Sequence, residues 1–285
     1  MAHIAFIGTG LIGGGLIAAA VERGEQLRIY NRTRSKAEAL AGSTVQVSDS
    51  VTEAVEGASR VHVVLSDDAA VDACLEPALA ALSGKLVIDH TTASPAGTLK
   101  RAARLAEQGV RYLHAPVFMS PAMCRQAGGI MLAAGPEATF KEAEASLEKM
   151  TGKVMYLGER ADLAAAYKLF GNAMIIGITG AFADVLAMAK QLDVDPEAAH
   201  RLFASFNPAG TLTYRGANMA AGNYDASFEM TMARKDVRLM LETAGDAALC
   251  VLPGIAERMD RLIEAGHGAR DLAALALAAV PPRAD

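Results

Sequence analysis

Six residues near the amino terminus, Gly8-Thr9-Gly10-Leu11-Ile12-Gly13, have the spacing of a phosphate-cradling turn. Each glycine has its own mechanical task. Gly8 makes the tight turn, Gly10 lets the backbone approach a pyrophosphate, and Gly13 lets a helix pack closely on a strand. A β-branched run, His3–Ile7, stands before the turn and an alanine-rich helical pattern follows it. The start of that helix presents free amides and a positive dipole end to an anion. A second strand pattern ends at Tyr30 and is followed by Asn31-Arg32-Thr33. A site for the unphosphorylated dinucleotide places an acid here to hold the ribose 2′-hydroxyl. A guanidinium and a hydroxyl suit a 2′-phosphate instead. The expected cofactor is NADP(H).

These residues need a frame, and the first half of the chain supplies an alternating one. Strand patterns at His3–Ile7, Leu27–Tyr30, Val45–Val47, Val61–Leu65, Leu86–Asp89, Val110–Leu113, Ile130–Ala133 and Val154–Tyr156 are predicted. Helical patterns fall at Ile12–Arg23, Arg34–Ala41, Ser50–Glu56, Ala69–Leu82 and Pro95–Gln108. Such alternation predicts an α/β unit with a mostly parallel sheet, of the dinucleotide-binding Rossmann type, over residues 1–160. Past Gly158 the strand signal stops. Residues 161–285 are expected to form an all-helical domain for substrate binding and dimerisation, joined by a long helix that starts near Asp162. Asp195-Pro196, Asn207-Pro208, Gly222 and Pro253 punctuate it.

Composition narrows the classes of function. Hydrophobic residues make up 52% and charged ones 21%, enough apolar material for packed cores in both halves. A net charge of -5 argues against nucleic acid or an anionic membrane as partner. The three cysteines, Cys74, Cys124 and Cys250, form no CxxC pair, and the six histidines show no metal spacing. No metal is expected. The start of the chain lacks a signal-peptide pattern, so a cytoplasmic location is expected. The apolar run Ala173 to Ala189 contains Asp184 and several glycines, and a buried helix is expected there rather than a membrane span.

Four segments in order resemble the β-hydroxyacid dehydrogenase family. They are the glycine turn with Asn31-Arg32-Thr33, the run Asp89-His90-Thr91-Thr92-Ala93-Ser94-Pro95, Ala115-Pro116-Val117 with Leu132-Ala133-Ala134-Gly135, and Lys168 with Asn172. Phe228 and Lys235-Asp236 extend the resemblance toward the carboxyl end. The resemblance implies a small carbonyl or hydroxyacid substrate and a homodimer or homotetramer. It gives Lys168 the role of acid/base and Asn172 that of orienting substrate. It also places Leu65 and Thr92 near the nicotinamide ribose, and Phe228 and Lys235 against the cofactor. The chemistry agrees, because hydride addition leaves charge on the carbonyl oxygen that an ammonium can stabilise and protonate. Lys168 and Asn172, four apart on a helix, share one face.

The resemblance breaks at one segment. The family usually continues A-P-V-S-G-G, whereas Phe118 and Met119 here replace the serine and first glycine, with Ser120 and Pro121 behind. Two bulky apolar side chains fill the place of a small carboxylate, so a less polar substrate is expected. Ser120 or Arg125 could supply a displaced polar contact. Two other readings stand beside a carbonyl reductase. Imine reductases are related and typically replace the lysine by Asp or Tyr; Lys168 argues against them and the Phe118-Met119 pair for them. A non-catalytic NADP-binding module is disfavoured by the retention of Lys168 and Asn172.

Overall fold

The computed structural model describes residues 3–283. The chain divides into two compact units, Met1–Asn172 and Ala173–Asp285. In the first, six parallel strands form one sheet: β1 (His3–Ile7), β2 (Leu27–Tyr30), β3 (Val45–Val47), β4 (Ala58–Val63), β5 (Leu86–Asp89) and β6 (Arg111–His114). Between them run α1 (Leu11–Glu22), α2 (Arg34–Glu38), α3 (Val51–Val55), α4 (Asp68–Leu75), α5 (Leu79–Leu82) and α6 (Pro95–Glu107). The strand order is β3-β2-β1-β4-β5-β6. Direction along the sheet therefore reverses between β1 and β4, and the crevice outside their carboxyl ends is where such sheets bind ligands.

Side chains alternate along β1 as a strand requires. Ile4 and Phe6 enter one core with Leu16, Ile17, Leu27 and Ile29, while Ala5 and Ile7 join Val61, Val63, Val71 and Val87 on the opposite face. With both faces covered, each large side chain contributes about 1.5–3 kcal/mol by burial, more than an exposed ion pair such as Arg34–Glu38 can add.

Several boundaries differ from the sequence reading, among them the end of α2 at Glu38, and two of the differences have a clear physical reason. β4 begins at Ala58 and ends at Val63, leaving Val64 and Leu65 in the following loop. Those two remain apolar because Val64 and Leu65 still pack against the two cores. The expected helix Ala69–Leu82 is broken into α4, a 3-10 turn Glu76–Ala78 and α5. Pro77, without an amide proton, cannot continue the α-helical ladder.

Past β6 the chain builds a separate three-stranded sheet from β7 (Val117–Phe118), β8 (Ile130–Ala133) and β9 (Lys153–Tyr156), with α7 (Pro121–Arg125) and α8 (Glu137–Leu147) in its connections. β7 runs antiparallel to β8, and β8 parallel to β9. A bridge between His114 and Ala134 ties this sheet to the end of β6.

The helix α9 spans Asp162–Gln191. In the second unit follow α10 (Pro196–Ser205), α11 (Ala217–Ala221), α12 (Met230–Ala244) and α13 (Leu252–Leu262). Met230, Ala233 and Val237 of α12 pack with Ala256, Met259 and Leu262 of α13, two apolar stripes at helical spacing. The Asp195 carboxylate accepts the Ala198 amide proton at 2.9 Å and caps α10. Gly222, at φ 66°, ends α11 in the left-handed region.

One expectation is overturned here. The Ala173–Ala189 stretch is not a buried helix within this chain: Met174, Ile175 and Ile176 are 43%, 56% and 70% exposed. Its buried members are few, and one of them is polar. Both oxygens of Asp184 accept backbone protons of Cys250, Val251 and Leu252 at 2.6–2.9 Å, an anion seated at the start of α13. Burial holds up the Asp184 pKa and those amide bonds outweigh it, so the carboxyl stays below its usual range.

Candidate active site

The glycine turn leaves β1 at Gly8 and enters α1 with Gly10 as the capping residue. Gly8 has φ +104°, and a Cβ there would lie 2.1 Å from the Val64 carbonyl oxygen. Gly13 meets the turn itself, because its Cβ would lie 2.3 Å from Gly8 O. At Gly10, by contrast, a Cβ would meet nothing within 4 Å. Two glycines thus allow close packing and the third faces open space. The α1 start carries no side-chain cap and no acid in its first turn. The Thr9 hydroxyl oxygen is buried without a partner among the described residues. Open backbone, free amides and an orphaned hydroxyl fit a diphosphate.

Asn31 clasps this turn to the end of β2. Its Oδ1 accepts the Thr9 amide proton at 3.1 Å, and its Nδ2 donates to Thr33 O at 2.9 Å. Asn31 therefore shapes the loop that carries Arg32 and Thr33. Arg32 and Arg34 then part in role. Arg34 is paired with Glu38 and Asp49, while Arg32 is exposed. Arg32 is the guanidinium of this turn that pairs with no carboxylate among the described residues.

At the neighbouring strand ends, Thr91 ties the sheet edge together. Its hydroxyl accepts the Leu65 amide proton, its own amide donates to Asp89 Oδ1, and its carbonyl takes the His114 Nε2 proton. Thr92, next along, is exposed beyond the edge. Asp89 is wholly buried, accepts the Tyr112 hydroxyl proton at 2.8 Å, and is structural. It does not cap α6, whose cap is Ser94 through the Gly97 amide.

Beneath the edge runs a directed chain of buried histidines. The Ala115 carbonyl can only accept, so His90 Nδ1 donates to it at 2.7 Å. His90 Nε2 must then accept from His62 Nδ1 at 2.9 Å, and His62 Nε2 from Arg60 Nε at 3.1 Å. The chain closes only with both rings neutral. Burial, first of all, lowers both, His90 to about 4 and His62 further below its usual value.

Lys168 lies in the second full turn of α9 and is 9% exposed. Leu163 and Ala164 seat the start of that helix on Leu132, Ala134 and Met155 of the small sheet. The Lys168 ammonium donates to Val117 O at 2.7 Å and stands 4.0 Å from the centre of the Phe118 ring. Burial lowers its pKa. Asn172 is half-buried one turn on. Met119 and Ser120 turn elsewhere. Met119 packs against the core and accepts from the Cys124 thiol at 3.7 Å, and Ser120 Oγ accepts the Met123 amide proton as the cap of α7.

Residues 3–158 match the family model described as the NAD binding domain of 6-phosphogluconate dehydrogenase, and residues 163–279 that of NADP-dependent 3-hydroxyisobutyrate dehydrogenase. This chain belongs to the β-hydroxyacid dehydrogenase family. It is an NAD(P)-dependent oxidoreductase. Glyoxylate/succinic semialdehyde reductase 2 of Arabidopsis thaliana is 26% identical over 85% of this chain and 68% of its own length. The NADPH-dependent reductive aminase of Aspergillus oryzae is 24% identical over 96% of this chain and 95% of its own. Among solved structures, an imine reductase from Myxococcus stipitatus in complex with NADP+ superposes with a TM-score of 0.89, at 23% identity, over 96% of this chain and 98% of that one.

In the second unit, Phe228 and Lys235 have separate settings. The Phe228 amide donates to Asp271 Oδ2 at 2.9 Å, and Lys235 pairs with its neighbour Asp236. Asp271 was not singled out in the sequence. It also accepts from Arg215, Ser227 and Ala273, so one carboxylate fixes the loop that carries Phe228. Despite burial, those bonds drive its pKa far below the carboxylate range. Gly15 was also missed. A Cβ there would lie 2.8 Å from Cys124 Cβ, so the glycine admits α7 against α1.

Proposed function

We propose that this enzyme uses NADP(H) to interconvert a small, weakly polar carbonyl compound and its alcohol, with Lys168 as the proton donor and acceptor. The observation that carries the reading is Lys168 itself: an ammonium group buried among apolar residues, bonded to a single carbonyl, on the helix face that also carries Asn172. Gly8, Gly10, Leu11, Ile12, Gly13 and Thr9 would hold the diphosphate, and Arg32 with Thr33 the 2′-phosphate. Leu65 and Thr92 stand at the carboxyl edge of the sheet for the nicotinamide ribose, and the family resemblance names Phe228 and Lys235 as further cofactor-binding residues. The bound nicotinamide supplies or accepts the hydride. Lys168 stabilises the charge that grows on the substrate oxygen and transfers its proton there; in the alcohol-oxidising direction the neutral amine removes it. Burial favours the neutral amine and so makes it available as a base at lower pH.

The Phe118 ring excludes a carboxylate from the place where the family's serine stands, which supports a substrate less polar than glyoxylate. A second reading, imine reduction, is supported by the same ring and by the likeness to the reductive aminase and imine reductase. A panel of aldehydes, ketones, semialdehydes and cyclic imines, followed by NADPH oxidation, separates the two. Turnover of carbonyl compounds without imines supports the first; turnover of cyclic imines alone replaces it with the second.

A second copy of the chain is proposed to cover α9. Phe170, Met174 and Ile178 recur at helical spacing and are 62%, 43% and 44% exposed. An apolar stripe of that length is stable in water when an identical stripe meets it across a two-fold axis.

A further inference from the structure

Phe118 and Lys168 lie fifty residues apart in sequence and meet through a gap in α9. A Cβ at Gly171 would stand 2.3 Å from Phe118 Cζ and 2.7 Å from Cε1. Glycine inside a long helix is less favourable than alanine, and here it opens the slot that the ring occupies. Lys168 and Gly171, three apart, lie on one helix face, so the ring seated at 171 also lies under the ammonium at 4.0 Å. Val117, adjacent to Phe118 in β7, supplies the carbonyl that takes the lysine proton. One two-residue strand thus gives the lysine both its supports.

We propose that Phe118 is a positioning residue for Lys168, its ring locked into the slot at Gly171 and holding the ammonium group by its π face. The inference rests on the reading of Lys168 as the acid/base. The family's serine would offer a hydroxyl to substrate at this position; the phenylalanine turns the position toward the lysine. The two effects on the amine oppose one another. Burial favours its neutral form, and the electron-rich ring face favours the charged one. The ring thereby offsets part of the burial effect and favours the charged lysine, the form that donates a proton in carbonyl reduction.

The test is a titration of Lys168 in [13C]lysine-labelled whole protein, its signal assigned by loss in Lys168→Met. Phe118→Leu keeps the site apolar and removes the π face. Gly171→Ala keeps the ring but expels it, and alanine favours the helix. Both variants are expected to lower the lysine midpoint by roughly 0.5–1.5 pH units, with no further drop in the double variant, while Phe118→Tyr leaves it unchanged. The basic limb of kcat/KM for reduction should move by the same interval. A midpoint unmoved in Phe118→Leu, or shifts that add in the double variant, overturns the proposal. If the midpoint moves but Lys168→Ala turns over normally, the positioning stands and the catalytic reading falls.

Discussion

Arg32 and Arg34 show how much a single side chain's surroundings decide. Both follow β2 and both are exposed, but Arg34 is committed to Glu38 and Asp49. Arg32→Ala should therefore weaken NADPH by about 1.5–3 kcal/mol, the scale of a hydrogen bond to a charged group, and leave NADH nearly untouched. Arg34→Ala should discriminate far less. Isothermal titration with both cofactors checks it, and equal losses for NADPH and NADH would remove Arg32 from the 2′-phosphate site. The glycine turn was legible because its geometry is local to one turn. The pairing of Phe118 with Lys168 was not. It depends on a helix and a two-residue strand brought together from distant parts of the chain, and the clue, Gly171 inside an otherwise good helix, has meaning only once the ring is seen in its slot.

At the scale of the element, the sheet edge holds its ligand-facing residues through buried polar links, and those links set a pH limit. Arg60, His62, His90 and the Ala115 carbonyl form one chain across β4 and β5 that requires neutral rings. Asp89 and His114 flank it, the first favouring and the second opposing protonation of His90. The folded-state pKa of His90, about 4, lies below the unfolded value of 6.5. Above 6.5 both states are neutral and the site makes no difference. As pH falls below 6.5 the unfolded chain takes up the proton first, and stability is lost until about 4. At pH 5 the expected loss from His90 alone is about 2 kcal/mol relative to pH 7. Urea unfolding at pH 7, 6 and 5 measures it, and His90→Gln should flatten the slope; a wild-type stability unchanged over that interval would contradict neutral burial. The six parallel strands were readable because short β-branched runs alternate with helical patterns, and β1 and β5 are buried along their whole length. β7 was not, since two residues have no period. Pro77 was visible in the sequence, but the apolar pattern on both sides of it concealed the break.

At the scale of the whole molecule, the length of α9 and the composition around it read correctly as a long helix, yet its surroundings did not. Apolar periodicity reports that a face avoids water, and it does not say which molecule covers that face. Ile176, 70% exposed, is the sharpest example. Met174→Glu, in the middle of the stripe Phe170, Met174 and Ile178, should shift the protein from dimer to monomer in light scattering at micromolar concentration and lower its Tm, while leaving the phosphate turn intact. A wild-type chain that is already monomeric at those concentrations would contradict the two-fold arrangement. The central claim, that the lysine held in α9 moves the proton in the reaction, has a more direct test. Single-turnover NADPH oxidation with the best carbonyl substrate should fall by about 10²- to 10⁴-fold in Lys168→Ala, with cofactor affinity unchanged. Lys168→Ala turning over at the wild-type rate with that substrate would contradict it.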